Sequence, residues 1–129
     1  MNNSGIYIVQ LLNDEPMPVT RDSRYVDICA RVNRENLKIG KAMDFEIRKK
    51  NYYADFDEEN VIFEELYKIE DIKTAERLIN RKLKPFQKLS PKGGRLEWLE
   101  GISYCEVKAL IAEVMETSNL DYEEYPTYS

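Results

Sequence analysis

Apolar residues recur at intervals of three and four in one stretch of the chain, at Ile72, Ala75, Ile79, Leu83 and Phe86. This period is typical of one face of an α-helix, and Asp71 is a suitable N-cap for it. The helix should end at or just beyond Pro85, which has no backbone N–H to donate. Its apolar face needs a core to pack on, and 129 residues are enough for one core and too few for two. We therefore predict a single domain.

Four segments have the composition of β-strands. They are GIYIVQLL, RYVDICARV, NLKIGKA closed by Gly40, and NVIFEELYKI. The second segment has apolar residues at alternate positions, which is typical of a half-buried strand. It is separated from the third by NREN, whose composition is typical of a hairpin turn, so we predict that these two strands pair.

Two more helices begin at capping residues. Asp44 is a suitable N-cap for a short helix that runs to about Tyr53. Ser103 with Glu106 forms a capping box for a last helix through about Glu116. The side chains expected to pack inward are Phe45, Ile47 and Tyr52 in the first of these helices and Val107, Leu110, Ile111 and Val114 in the second.

The residue types present exclude several classes of enzyme. The chain has no histidine, which removes the hydrolases and nucleases that use imidazole as their base. Its two cysteines, Cys29 and Cys105, have no partners at metal-ligand spacing, which argues against a structural zinc site. No apolar run is long enough to span a membrane and no secretory signal is visible, so we expect a cytoplasmic protein. Acid and base chemistry must come from Tyr, Lys, Glu or Asp.

Charge is distributed unevenly along a chain of net charge -5. Residues 71–95 carry eight bases and two acids, and residues 113–129 carry five acids and no base. The basic segment 71–95 could meet phosphates, or it could be a solvated helix face. The acidic end, with Tyr122, Tyr125 and Tyr128, is expected to be a loose tail or an extended arm. It either lies across the basic segment as a DNA mimic or only keeps the protein soluble.

Short motifs occur in a fixed order along these segments. GIY begins the first strand, KIG closes the third, IGKAMDFEIR leads into the Asp44 helix, AERLINRKL lies in the Asp71 helix, and RLEWL follows. This order resembles the GIY-YIG nuclease superfamily over most of residues 5–112. IGKAMDFEIR is similar to the VGSAKDFEKR pattern of its intron-encoded homing endonucleases. KIG with RLEWL is similar to a phage and prokaryotic branch whose domain closes with EFF or EWF.

The resemblance implies an α/β (α+β) fold with a small, mainly antiparallel central sheet flanked by helices. The nuclease domain would occupy residues 1–117, with an insertion at about 16–36, and an acidic tail residues 118–129. The implied activity is hydrolysis of DNA phosphodiester bonds with Mg²⁺ or Mn²⁺, by a phage or mobile-element protein in an infected bacterial cell. The length leaves no room for the separate DNA-binding region of the homing enzymes. Sequence-specific cutting would then depend on the insertion, on a partner or on a homodimer.

The resemblance also implies roles for single residues. The general base would be Tyr7, its partner or a phosphate ligand Lys38, the catalytic arginine Arg48, and the single metal ligand Glu76. Glu97 would be a secondary carboxylate or a structural residue. The basic side chains expected to contact DNA are Lys41, Lys49, Lys50, Arg77 and Arg81.

These residue types suit phosphodiester hydrolysis on chemical grounds. One carboxylate is enough for Mg²⁺, which keeps much of its hydration shell and takes few protein ligands. The guanidinium of Arg48 can hold two phosphate oxygens, and an ammonium at Lys38 would favour the phenolate of Tyr7. Asn80 stands where relatives of this branch often have a histidine, and it cannot take a proton at neutral pH.

Each of these residues also has an ordinary structural interpretation. Tyr7 could be a core aromatic and Lys38 a charge that protects a strand edge. Arg48 and Glu76 could be solvated surface charges. Two other functions stay open on the sequence. One is a catalytically inactive nucleic-acid-binding module on the same scaffold, and the other is an acidic interaction or inhibitor protein.

Overall fold

The computed structural model of the protein describes residues 4–125. Its helices are α1 (Phe45–Phe56), α2 (Ile72–Leu83) and α3 (Tyr104–Thr117). Its strands are β1 (Gly5–Leu11), β2 (Met17–Pro18), β3 (Arg31–Val32), β4 (Leu37–Ala42), β5 (Val61–Ile69), β6 (Gln87–Leu89), β7 (Arg95–Leu99) and β8 (Tyr122–Glu124). Within the described range, no helix combines the length and the apolar character that crossing a membrane requires.

Six strands form one antiparallel sheet in the order β6-β7-β4-β1-β5-β8. Alternate side chains of the central strand β1 point to opposite faces of the sheet. Ile6 and Ile8 join the core formed with α2 and α3, whereas Tyr7 and Val9 join the core formed with α1. The predicted fold, a small α/β domain with a mainly antiparallel sheet flanked by helices, is confirmed.

The three helices begin at the predicted caps. The side chains of Asp44 and Asp71 accept hydrogen bonds from backbone N–H groups in the first turns of α1 and α2. Ser103 and Glu106 form the predicted capping box at the start of α3. Each cap satisfies N–H groups that have no partner within the helix itself. α1 continues past its predicted end to Phe56, which is 1% exposed.

The strand predicted for RYVDICARV is wrong. Residues 23–29 form turns instead, in which the backbone N–H of Val26 donates to the carbonyl of Asp22 at 2.9 Å. Only β3 is extended there, and it pairs with β2 rather than with β4, so the hairpin predicted across NREN is also wrong. The alternating pattern misled because this segment leaves apolar side chains in solvent; Ile28, for example, is 58% exposed.

The inward position predicted for Ile47 is wrong as well, since this side chain is 61% exposed. The buried residues of α1 are Phe45, Tyr52 and Phe56. Ile47 lies two positions after Phe45, which is about 200° around the helix axis. It therefore faces away from the core.

The acidic end of the chain is extended where the structure describes it. Tyr122–Glu124 forms β8, which pairs with Tyr67–Ile69 of β5 at the edge of the sheet. The backbone N–H of Tyr125 continues this pairing by donating to the carbonyl of Leu66 at 2.9 Å. Tyr128 lies outside the described residues. The described part of the tail is thus an arm along β5 and not a cover over the basic segment.

Candidate active site

Strand β4 is only partly paired on one of its sides. Its pairing with β1 extends over residues 37–42, whereas its pairing with β7 is confined to Leu37 with Leu99 and Lys38 with Trp98. Within the part of the chain that the structure describes, residues 39–42 therefore have no strand partner on that side. We call this stretch the open edge of β4. Side chains from both faces of the sheet can meet a ligand at such an edge.

The hydroxyl groups of Tyr7 and Tyr52 form a buried hydrogen bond of 2.6 Å on the α1 face of the sheet. Tyr7 lies opposite Gly40 of β4, and its ring stacks on Phe63 with the centroids 4.6 Å apart. The phenol lies directly against the glycine, because a Cβ atom at Gly40 would be 2.3 Å from the Tyr7 hydroxyl oxygen. A side chain larger than hydrogen at Gly40 would displace this phenol.

The pKa values of Tyr7 and Tyr52 are both raised, mainly because the two hydroxyl groups are buried. For Tyr7, the hydrogen bond with Tyr52 and the positive charge of Arg48 lower the pKa, and the carboxylates of Glu97 and Glu76 raise it. These charges come from α1, β7 and α2. Because burial is the largest of these influences on its pKa, the phenol is protonated at neutral pH.

The contacts of Lys38 are with Tyr52, Trp98 and Glu97. Its Nζ atom is 5.2 Å from the centroid of the Tyr52 ring, 5.8 Å from that of Trp98 and 3.6 Å from the Glu97 carboxylate. Burial lowers the pKa of Lys38, and the charge of Glu97 opposes this shift. The group that hydrogen-bonds to Tyr7 is therefore the hydroxyl of Tyr52, and Lys38 lies against the ring of that residue.

Arg48 lies one turn before Tyr52 on α1, and its side chain is exposed. Among residues 4–125 its guanidinium forms no ion pair, and its charge lowers the pKa of both Tyr7 and Tyr52. It is available to an anion beside the two phenols. Sequence reasoning assigned Tyr52 only to the core. The signal that could have identified it is its spacing of four residues from Arg48, which makes the two neighbours on a helix surface.

Glu76 reaches the open edge from α2, on the face of the sheet opposite to Tyr7. Its Oε1 atom is 2.5 Å from Nζ of Lys41, and the two side chains are 14% and 38% exposed, respectively. No group of three or more His, Cys, Asp or Glu side chains that could hold a metal ion exists among residues 4–125. A single carboxylate still suits Mg²⁺, because this ion keeps several waters and takes further oxygens from a phosphate. The donor set fits a metal that binds together with its substrate.

The side chains predicted to contact DNA differ in their availability. Lys50, Arg77 and Arg81 are exposed on α1 and α2. Lys49 is paired with a glutamate of its own helix at 3.1 Å. The ammonium of Lys41 is paired with Glu76, the candidate metal ligand. The exposed positive charge of this set therefore lies on α1 and α2.

Comparison with known proteins identifies one family. The T5orf172 domain matches residues 24–115, which is more than half of the chain. The matched range includes Lys38, Arg48 and Glu76 and begins after Tyr7. No curated protein and no solved structure matches the chain. The interpretation of Tyr7 therefore depends on its geometry and not on the family match.

Proposed function

This chain belongs to the T5orf172 domain family, and we propose that it is a metal-dependent endonuclease that hydrolyses phosphodiester bonds of DNA. The family is associated with nuclease-type domains, which supports a nuclease-like or DNA-binding role. The observation that carries the proposal is that the Tyr7 hydroxyl packs against Gly40, whose chain neighbour Lys41 contacts Glu76. The same hydroxyl shares a hydrogen bond with that of Tyr52, one helical turn after Arg48. A base, a cation for phosphate and a carboxylate for a metal are the groups that this hydrolysis needs.

Tyr7 is the proposed general base: once it has lost its own proton to solvent, its phenolate oxygen takes the proton of the attacking water. The Tyr52 hydroxyl, 2.6 Å away, donates to that oxygen once Tyr7 has lost its own proton. The charge of Arg48 also favours the phenolate. Lys38 positions the ring of Tyr52 and neutralises Glu97. Because burial raises the pKa of Tyr7, the phenolate is the minor form at neutral pH, and activity should increase with pH.

Arg48 is the proposed ligand of the scissile phosphate. Its planar guanidinium can hold two phosphoryl oxygens and cannot lose its charge. A Mg²⁺ or Mn²⁺ ion held by Glu76 would supply a second positive charge to the phosphoryl oxygens and the leaving oxygen. The exposed Lys50, Arg77 and Arg81 bind neighbouring phosphates, which orients the duplex without reading its sequence.

A plasmid-nicking assay with Mg²⁺ tests this proposal. Glu76→Gln and Arg48→Met should each reduce nicking by at least about 100-fold, because each removes a charge that acts on the transition state. Glu113→Gln is the matched control, since it removes the same charge as Glu76→Gln from an exposed position on α3. It should nick as the intact protein does. DNA binding is measured in a separate experiment, by fluorescence anisotropy of a labelled duplex over a range of salt concentrations.

The two readouts separate the rival functions. Nicking that both variants lose and the control retains supports the nuclease and the roles of the two residues. DNA binding that weakens with salt, without nicking in Mg²⁺ or Mn²⁺, refutes the nuclease and identifies an inactive nucleic-acid-binding module. Absence of both binding and nicking refutes both functions and favours an acidic interaction protein.

A further inference from the structure

Lys41 is positioned to link two binding events at the open edge of β4. Its Nζ atom lies 2.5 Å from Oε1 of Glu76, the carboxylate proposed to hold the metal. We propose that Lys41 is a displaceable counterion of Glu76. It neutralises the carboxylate in the free protein and moves to a DNA phosphate when a metal ion binds there. This inference rests on the proposed function, and it makes metal binding and DNA binding cooperative.

The two partners differ in their freedom to move. Glu76 is 14% exposed, and it follows Ala75, which is fully buried and fixes this turn of α2. Lys41 is 38% exposed and lies in the open edge of β4, where the described residues supply no strand partner on the outer side. Its ammonium is carried on a flexible four-carbon stem. The lysine is therefore the group that can leave.

A metal ion and the Lys41 ammonium compete for the same carboxylate. A largely buried carboxylate needs a positive partner, because an unpaired charge is unfavourable in such a position. Two cations at one oxygen repel each other, so Lys41 weakens metal binding to the free protein. A DNA phosphate gives the ammonium a new anion and gives the metal a further oxygen ligand. Since coupling between two sites is reciprocal, metal must strengthen DNA binding by the same factor.

An ion pair that only ties β4 to α2 predicts a different result. Its loss would lower the free energy of unfolding and would leave the metal affinity of the folded protein unchanged or weaker. Metal affinity measured without DNA therefore separates a displaceable counterion from a structural one. Cleavage is not needed for this measurement.

The test is Mn²⁺ binding to the DNA-free protein at low ionic strength, followed by the electron paramagnetic resonance signal of free Mn²⁺. Lys41→Met should bind Mn²⁺ about tenfold more tightly than the intact protein. Lys41→Arg keeps the charge and should stay within about twofold of the intact protein. Lys92→Met, which removes one charge from the exposed loop between β6 and β7, should also stay within about twofold. Glu76→Gln should weaken Mn²⁺ binding, because it removes the carboxylate proposed to hold the ion.

DNA supplies the second arm of the test. A phosphorothioate duplex, which resists hydrolysis, should tighten Mn²⁺ binding to the intact protein more than to Lys41→Met. Unchanged or weaker Mn²⁺ binding by folded Lys41→Met overturns the proposal. If that variant does not fold, Lys41→Gln, which retains a hydrogen-bond donor for Glu76 without the charge, is judged by the same criterion.

The outcome for this inference is distinct from the outcome for the proposed function. A protein that never nicks DNA, but binds Mn²⁺ more tightly as Lys41→Met, refutes the nuclease and supports the counterion. A protein that nicks DNA and shows no change in Mn²⁺ affinity as Lys41→Met refutes the counterion alone.

Discussion

Replacing Gly40 with alanine should destabilise the protein by displacing the Tyr7 side chain. The added methyl carbon would lie 2.3 Å from the Tyr7 hydroxyl oxygen and 2.5 Å from its Cζ atom. The phenol cannot swing aside, because Tyr7 is 2% exposed, stacks on Phe63 at 4.6 Å and shares a 2.6 Å hydrogen bond with Tyr52. Relief of the clash requires movement of β1 or β4, or loss of these contacts.

The magnitude follows from two opposing effects. Overpacking a core by a methyl group costs about 1–3 kcal/mol. Alanine also restricts the unfolded chain, which stabilises a protein by roughly 0.4–1 kcal/mol where the native backbone accepts it. We expect a net loss of about 1–2 kcal/mol in the free energy of unfolding. For a chain of 129 residues, this corresponds to a decrease in Tm of roughly 4–7 °C.

The matched control for this prediction is Gly94→Ala. The nearest atom to a Cβ at Gly94 is Oγ of Ser90 at 3.5 Å, so the effect on the unfolded chain remains without a clash. Denaturant unfolding followed by the fluorescence of the single tryptophan, Trp98, measures both variants. Nicking by Gly40→Ala should be reduced even where that variant is folded, because the proposed base has moved. Equal stability of the two variants would refute the packing of Tyr7 against Gly40.

Two further predictions concern the increase of kcat/KM for nicking with pH, measured from about pH 6 to 10. Glu97→Gln should move the increase to lower pH, because the Glu97 carboxylate raises the pKa of Tyr7. An unchanged profile would contradict an effect of this carboxylate on the base. Tyr52→Phe should move the increase to higher pH, since the hydrogen bond with Tyr52 lowers the pKa of Tyr7, and it should cost about 1 kcal/mol in unfolding free energy. Shifts of the two variants in the same direction would refute the assignment of Tyr7 as the titrating base.

The helices were predictable because their signals are local. The caps at Asp44, Asp71 and Ser103 act on backbone N–H groups within the next turn, so neighbouring residues are sufficient to identify them. The apolar period of α2 was also read correctly, since Ile79 and Leu83 are buried. Such features require no knowledge of distant segments.

The strand pairings were harder to predict because distant segments decide them. The apolar alternation in RYVDICARV satisfied the local criterion for a strand, yet residues 23–29 turn instead. The pairing of β8 with β5 joins a strand from the middle of the chain to one near its end. A short strand is stable only when a partner offers its backbone groups, and local composition does not identify that partner.

The sequence by itself determined where the three helices begin, which residue types can supply acid and base chemistry in a chain without histidine, and the positive charge carried by α1 and α2. Only the tertiary structure decided which of these groups meet. Tyr52 rather than Lys38 is the hydrogen-bond partner of Tyr7, across 45 positions of the chain, and Lys41 forms an ion pair with Glu76. The physical reason is that side-chain contacts at the open edge of β4 depend on sheet register and on the packing of two helices against opposite faces, which are properties of the folded chain as a whole.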